Sequence, residues 1–178
     1  SVTPYTVPGA PTGVSAVPGN AQATLSWAAP ANTGGNAITG YTVTASGGGS
    51  CTAVAPATTC VVTGLTNGTA YTFTVVATNA AGNSVASAPS ASVTPATVPG
   101  APTGATATAG NAQASVAWTA PASDGGSTIT GYTVTAIGGS GGACSAVAPA
   151  TICTVTGLAN GTAYTFTVTA TNAAGTSA

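Results

Sequence analysis

Four cysteines are the side chains in this sequence with the most chemistry to offer, and they come as two equally spaced pairs. Cys51 and Cys60 enclose eight residues, and Cys144 and Cys153 enclose eight more. A structural zinc site takes four ligands, mostly Cys or His. This chain has no His and a single carboxylate, so two thiols cannot close such a site. The spacing is also wider than the Cys-x-x-Cys of a redox dithiol. What remains is one local disulfide within each pair, with buried free thiols as the alternative. A bridge would place the chain in an oxidising compartment, extracellular or at a cell surface.

Other groups able to move protons or hold ions are nearly absent. General acid–base work draws on His, or on a tuned Glu, Asp or Lys; here there is no Lys, Arg or His, and Asp124 is the sole acidic residue. It stands in Ser123-Asp124-Gly125-Gly126, which reads as a solvated turn, and calcium wants six to eight oxygens with several carboxylates among them. Gly47-Gly48-Gly49 and Gly138-Gly139-Ser140-Gly141-Gly142 lack the Lys and following Ser/Thr of a phosphate-binding loop and read as flexible hairpin loops. Asn67-Gly68-Thr69 and Asn160-Gly161-Thr162 match the glycosylation sequon, but Asn-Gly is equally a tight-turn pair. A formal charge of −1 leaves no cationic grip for phosphate, so neither nucleic acid nor anionic lipid is an expected partner. No apolar run approaches the roughly 18 residues of a membrane span. These residues predict no enzyme, and no catalytic, cofactor-binding or metal site.

The elements that carry these residues are written twice. Val7-Pro8-Gly9-Ala10-Pro11-Thr12-Gly13 recurs unchanged at Val98 to Gly104, and Gly19-Asn20-Ala21-Gln22-Ala23 recurs at Gly110 to Ala114, an offset of 91 residues. A two-residue insertion near Gly138 to Gly142 then makes the offset 93, so that Cys51 matches Cys144 and Tyr71 matches Tyr164. Such a period is longer than that of solenoid repeats, about 20–50 residues. Each copy is long enough to hold a core of its own.

Within a copy the pattern has period two. Ala23, Leu25 and Trp27 fall on one face, as do Tyr41, Val43 and Ala45, and Tyr71, Phe73, Val75 and Ala77, with mostly Thr between them. That alternation predicts half-buried antiparallel strands, and Thr fits the outer face of a pleat without charge. Turn signals at Pro18-Gly19-Asn20, Thr33-Gly34-Gly35-Asn36, Asn67-Gly68 and Ala81-Gly82-Asn83 separate the runs. No segment predicts a helix, and the β-branched and aromatic content argues against disorder.

Leu25-Ser26-Trp27-Ala28-Ala29-Pro30, Ile38-Thr39-Gly40-Tyr41 and Gly64-Leu65-Thr66-Asn67-Gly68-Thr69-Ala70-Tyr71-Thr72-Phe73 resemble strands B, C and E through F of fibronectin type III domains. The resemblance runs over nearly the whole chain. It implies an all-β fold of two tandem immunoglobulin-like sandwiches. It implies a core of Trp27, Tyr41, Leu65, Tyr71 and Phe73 in one domain and Trp118, Tyr132, Leu158, Tyr164 and Phe166 in the other. Leu65 and Tyr71, six residues apart, match the family's tyrosine corner, in which the hydroxyl bonds nearby backbone. With eight of nine aromatics at core positions, only Tyr5 is left free. No platform for stacking sugar rings remains, so carbohydrate is not an expected ligand.

The alignment divides the chain into residues 1–6, the end of a preceding repeat and a linker; residues 7–95, the first domain; and residues 96–178, a second domain without its last strand. Ser1-Val2-Thr3-Pro4 matches Ser92-Val93-Thr94-Pro95, and no counterpart of Ala86 to Val93 follows Ala178. The sequence therefore reads as part of a longer array, or as a subunit completed by a neighbour's strand. Near-zero charge favours association, so the expected partners are neighbouring repeats or identical molecules. The expected function is a structural building block of a bacterial surface protein, sheath or filament. The alternatives are a spacer module in a secreted polysaccharide-degrading enzyme, or an adhesin stalk that recognises a surface through its loops.

Overall fold

Alternation of apolar and Thr side chains produces strands and only strands in the computed structural model, which describes residues 4–178. The match between residues 1–4 and 92–95 therefore falls, apart from Pro4, outside the described residues. The chain forms two compact units, Ser1–Ala96 and Thr97–Ala178.

The first unit contains β1 (Thr12–Gly19), β2 (Gln22–Ala28), β3 (Gly40–Ala45), β4 (Ser50–Val54), β5 (Thr59–Thr63), β6 (Phe73–Asn79) and β7 (Gly82–Asn83). They make two antiparallel sheets, in the orders β1-β2-β5 and β4-β3-β6-β7. The second unit repeats the plan with β8 (Thr103–Gly110), β9 (Gln113–Thr119), β10 (Gly131–Ile137), β11 (Gly142–Val147), β12 (Ile152–Thr156), β13 (Thr165–Asn172) and β14 (Gly175–Thr176), in sheets β12-β9-β8 and β11-β10-β13-β14.

The period-two faces meet between the sheets. Ala23, Leu25 and Trp27 of β2 pack with Tyr41, Val43 and Ala45 of β3 and with Phe73, Val75 and Ala77 of β6. Trp27 lies edge-on to Tyr41, with ring centroids 5.3 Å apart, a favoured aromatic geometry. Trp118 and Tyr132 repeat the pair at the same distance. Both indole N–H groups are buried with no hydrogen-bond partner among the described residues. The tryptophans thus serve as apolar wedges.

Two turns carry backbone that most side chains avoid. Ala21 and Ala112, which link β1 to β2 and β8 to β9, have φ of 53° and 52°, a left-handed conformation costly for any residue with a Cβ. Gly34 also has positive φ (74°), and a Cβ there would collide with the carbonyl of Thr6. The glycine lets the leading segment lie directly on the loop, where Thr6 N–H donates to Gly34 O at 2.8 Å. Thr6, a linker residue by the repeat alignment, is thus tied to the first unit, and Thr97 is tied to the second through Gly125 O at 2.9 Å.

The expected last strand, Ala86 to Val93, is not a regular one. After β7 the chain still runs beside β6, but three of its residues pass for every two of β6. The N–H groups of Ser84, Ser87, Ser90 and Val93 donate to the carbonyls of Ala77, Val75, Phe73 and Tyr71, at 2.8 to 2.9 Å. The N–H groups of Ala77, Val75 and Phe73 then find no backbone carbonyl opposite, and serine side chains supply the acceptor instead. Ser84, Ser87 and Ser90 Oγ accept these N–H groups at 2.9, 3.0 and 3.1 Å. Each serine O–H in turn donates to the carbonyl of the next residue, at 2.7 to 2.8 Å. One extra residue per step makes the segment a succession of bulges. Every polar group at the rungs is nevertheless paired, as buried polar groups require.

Candidate functional site

Each cysteine pair bridges the two sheets of its own domain. Cys51 lies on β4 opposite Val43, and Cys60 lies on β5 opposite Leu25. Strands β4 and β5 are edge strands of different sheets, and their cysteines are disulfide-bonded with Cα atoms 6.2 Å apart. Cys144 of β11 and Cys153 of β12 repeat the bridge at 6.2 Å. No cysteine is free. The thiols are therefore consumed in covalent staples between sheets that otherwise meet only through side-chain packing.

The tyrosines at the corner use their hydroxyls as acceptors. Thr66 N–H donates to Tyr71 Oη at 3.1 Å, and Ala159 N–H donates to Tyr164 Oη at 3.0 Å. That bond to Ala159 and one to Ser140 favour the phenolate and lower the pKa of Tyr164 from the ordinary tyrosine value, whereas burial raises that of Tyr41.

Two pairs of asparagines carry polar work that sequence reasoning did not assign. Asn67 of the sequon takes Ala21 N–H on its Oδ1 and gives Nδ2–H to Asn20 Oδ1, both at 2.8 Å. It thereby holds the left-handed Ala21. Asn160 does the same for Ala112. Asn79, buried at the end of β6, donates through Nδ2 to the carbonyls of Thr6 and Thr33, and accepts Ala81 N–H on Oδ1, all at 2.8 Å. Asn172 likewise reaches Thr97 O and Asp124 O at 2.8 and 2.7 Å. Recurrence of Asn-Ala-Ala-Gly in both copies was the available signal.

The structure gathers no reactive constellation around these residues. Asp124 is exposed and accepts Gly126 N–H at 2.9 Å, a local turn bond. Among the described residues no group of three or more His, Cys, Asp or Glu could hold a metal, and no helix is long and apolar enough to cross a membrane.

The predicted core residues divide between the domains. Trp27, Tyr41, Leu65, Tyr71 and Phe73 are buried, and so are Trp118, Tyr132 and Leu158. Tyr164 and Phe166 are only half-buried. They border a cleft of about 260 Å³ between β8 and β13, lined also by Ala107, Ala109, Ala114 and Leu158. Tyr5 is exposed.

Two antiparallel sheets stapled at their edges, a Trp–Tyr wedge between them and a tyrosine corner define each unit as an immunoglobulin-like β-sandwich module. The fibronectin type III domain model matches residues 9–93 and 100–178, and the chain belongs to that family. It is 39% identical over 186 residues to chitinase A1 of Niallia circulans, an alignment covering 96% of this chain and 25% of the relative. It is 42% identical over 167 residues to endoglucanase B of Cellulomonas fimi, covering 86% and 15%. Exoglucanase B of the same organism is 37% identical over 180 residues, covering 96% and 16%. The chain thus spans a quarter or less of the length of these relatives.

Proposed function

We propose that the chain is a pair of non-catalytic spacer domains within an extracellular polysaccharide-degrading enzyme. The observation that carries this reading is the alignment with chitinase A1, which takes in both domains in tandem yet only 25% of the relative. The physical features agree. Each domain is a small sandwich closed by its own disulfide, a device that suits small domains in an oxidising environment. The relatives favour this reading over a filament, for which near-neutral charge is the sole support. Fold alone does not assign function, so the spacer role needs its own test.

The chain as it stands should neither hydrolyse nor be retained on insoluble chitin or cellulose. In an enzyme that contains it, deletion of residues 7–178 should leave turnover of short soluble oligosaccharides unchanged and slow attack on the insoluble polymer. Retention of the isolated chain on either polymer would make it a binding module. Loss of activity on soluble substrate would make it part of the catalytic unit.

A further inference from the structure

The second domain carries a separate open cleft of about 370 Å³ where the loop between β9 and β10 meets the turn between β11 and β12. Ile129, Ala148 and Pro149 supply apolar walls, and Asp124, Thr128 and Tyr132 supply oxygen atoms. Tyr132 is only 4% exposed. The corner tyrosines spend their hydroxyls on backbone N–H groups, but the Tyr132 hydroxyl has no hydrogen-bond partner among the described residues, and neither has that of Thr128. Asp124 gives Oδ1 to Gly126 N–H, and its Oδ2 has no partner among the described residues. It is also the sole charged side chain, with no Lys or Arg in the chain to neutralise it. The first domain repeats the walls in Ile38, Ala55 and Pro56 and the phenol in Tyr41, but has Thr33 for Asp124 and Ala37 for Thr128. Of the residues that line the cleft, only these two differ between the copies. Both changes make the rim of the second domain more polar, and one makes it anionic.

We propose that this cleft receives a lysine side chain from the surface of a partner protein, with its aliphatic stem along Ile129, Ala148 and Pro149 and its ammonium among Asp124, Thr128 and Tyr132. Charge complementarity calls for a cation. Lysine lays an apolar stem along apolar surface while its head stays polar, which matches a cleft apolar on its walls and oxygen-bearing at its rim. Three side chains with oxygens to offer match the three N–H donors of an ammonium. An arginine fork is best met by both oxygens of a carboxylate, and here Gly126 already holds one. A sugar ring, with hydroxyls all round, would leave them unpaired against isoleucine, alanine and proline. The chain contains no Lys, so a second copy cannot supply the side chain, and the partner surface has a different sequence. The inference is independent of the spacer reading and gives the second domain a contact that the first lacks.

The test follows backbone amide NMR shifts of residues 1–178 during titration with Nα-acetyl-lysine methylamide. Saturable shifts should appear at Gly126, Ile129 and Ala148 and be absent at their counterparts Gly35, Ile38 and Ala55. D124N keeps an acceptor for Gly126 N–H, so the turn should hold, and binding should weaken about fivefold, the scale of one partly exposed ion pair. T33D combined with A37T should confer the response on the first domain. Absence of saturable shifts, or unchanged affinity in D124N, would overturn the site. Equal binding of the uncharged norleucine analogue would overturn recognition of the ammonium. Tighter binding of the arginine analogue would overturn the choice of lysine. Tighter binding of glucosamine would assign the cleft to an amino sugar and overturn the protein partner.

Discussion

Replacing Asn79 by Ala should unfold the first domain at a much lower temperature and leave the second untouched. The side chain makes three hydrogen bonds, to Thr6 O, Thr33 O and Ala81 N–H, each at 2.8 Å, and the residue is only 4% exposed. At a net contribution near 1 kcal/mol per bond, the loss is about 3 kcal/mol, a large share of a small domain's stability. For a domain of this size each kcal/mol moves the midpoint by roughly 4–8 °C, so the fall should be about 12–24 °C. Calorimetry of the whole chain should resolve two transitions, and only the first domain's should move. Asn172→Ala should reverse the pattern. Asn79→Asp sharpens the test, because its ionised carboxylate keeps the Ala81 bond but sets acceptors against the Thr6 and Thr33 carbonyls. It should destabilise at least as much at neutral pH and recover partly in acid, where the protonated group can donate to one carbonyl. A loss under 1 kcal/mol for Asn79→Ala would refute the view that this residue pins the leading segment to the domain.

Trp27→Ala should cost about 3–5 kcal/mol in urea unfolding, with the indole fluorescence of the parent blue-shifted as burial demands. Replacing both Cys51 and Cys60 by Ser should cost about 2–3 kcal/mol, the loop-entropy value for so short a loop. Peptide mapping without reductant should recover each bridge within its own domain. Ala21→Gly relieves a left-handed alanine and should stabilise by up to about 1 kcal/mol, where the same change at Ala23 destabilises. Melting temperature should be flat across neutral pH and insensitive to salt, because the chain holds no Lys, Arg or His. That of the first domain should fall as pH rises past 10.0, since burial raises the pKa of Tyr41 above that ordinary value and the folded state holds its proton more tightly.

The fold was legible because two signals are strong in this chain. Strict alternation at Ala23, Leu25 and Trp27 fixes which face of β2 is buried, and duplication at an offset of 91 and then 93 residues marks two domains. The paired cysteines and the Leu65–Tyr71 spacing were legible for the same reason, being local. What escaped was polar structure. Ser84, Ser87 and Ser90 are buried but drew no assignment, because periodicity ranks residues by hydropathy, and their value lies in backbone acceptors they replace. Asn79 and Asn172 drew no role either, because the carbonyls they bond lie 46 to 75 positions away in sequence. Tyr164 and Phe166 were read as core from type and spacing, but burial also depends on what lies across the sheet edge, which neither property encodes.

The serine segment of the first domain has a consequence for the company such domains keep. Near-identical modules in one polypeptide sit at high local concentration, and an exposed strand edge on one invites pairing with another. Along this edge Pro89 has no N–H to give, and the carbonyls of Val85, Ala88 and Ala91 already accept the serine hydroxyls. The bulges also break the even spacing of donors and acceptors that a foreign strand would need. The segment thus closes its sheet from the inside while presenting a poor template outside. Beside a sister domain with almost no charge to keep the two apart, that edge protects the first domain against misfolding with its neighbour.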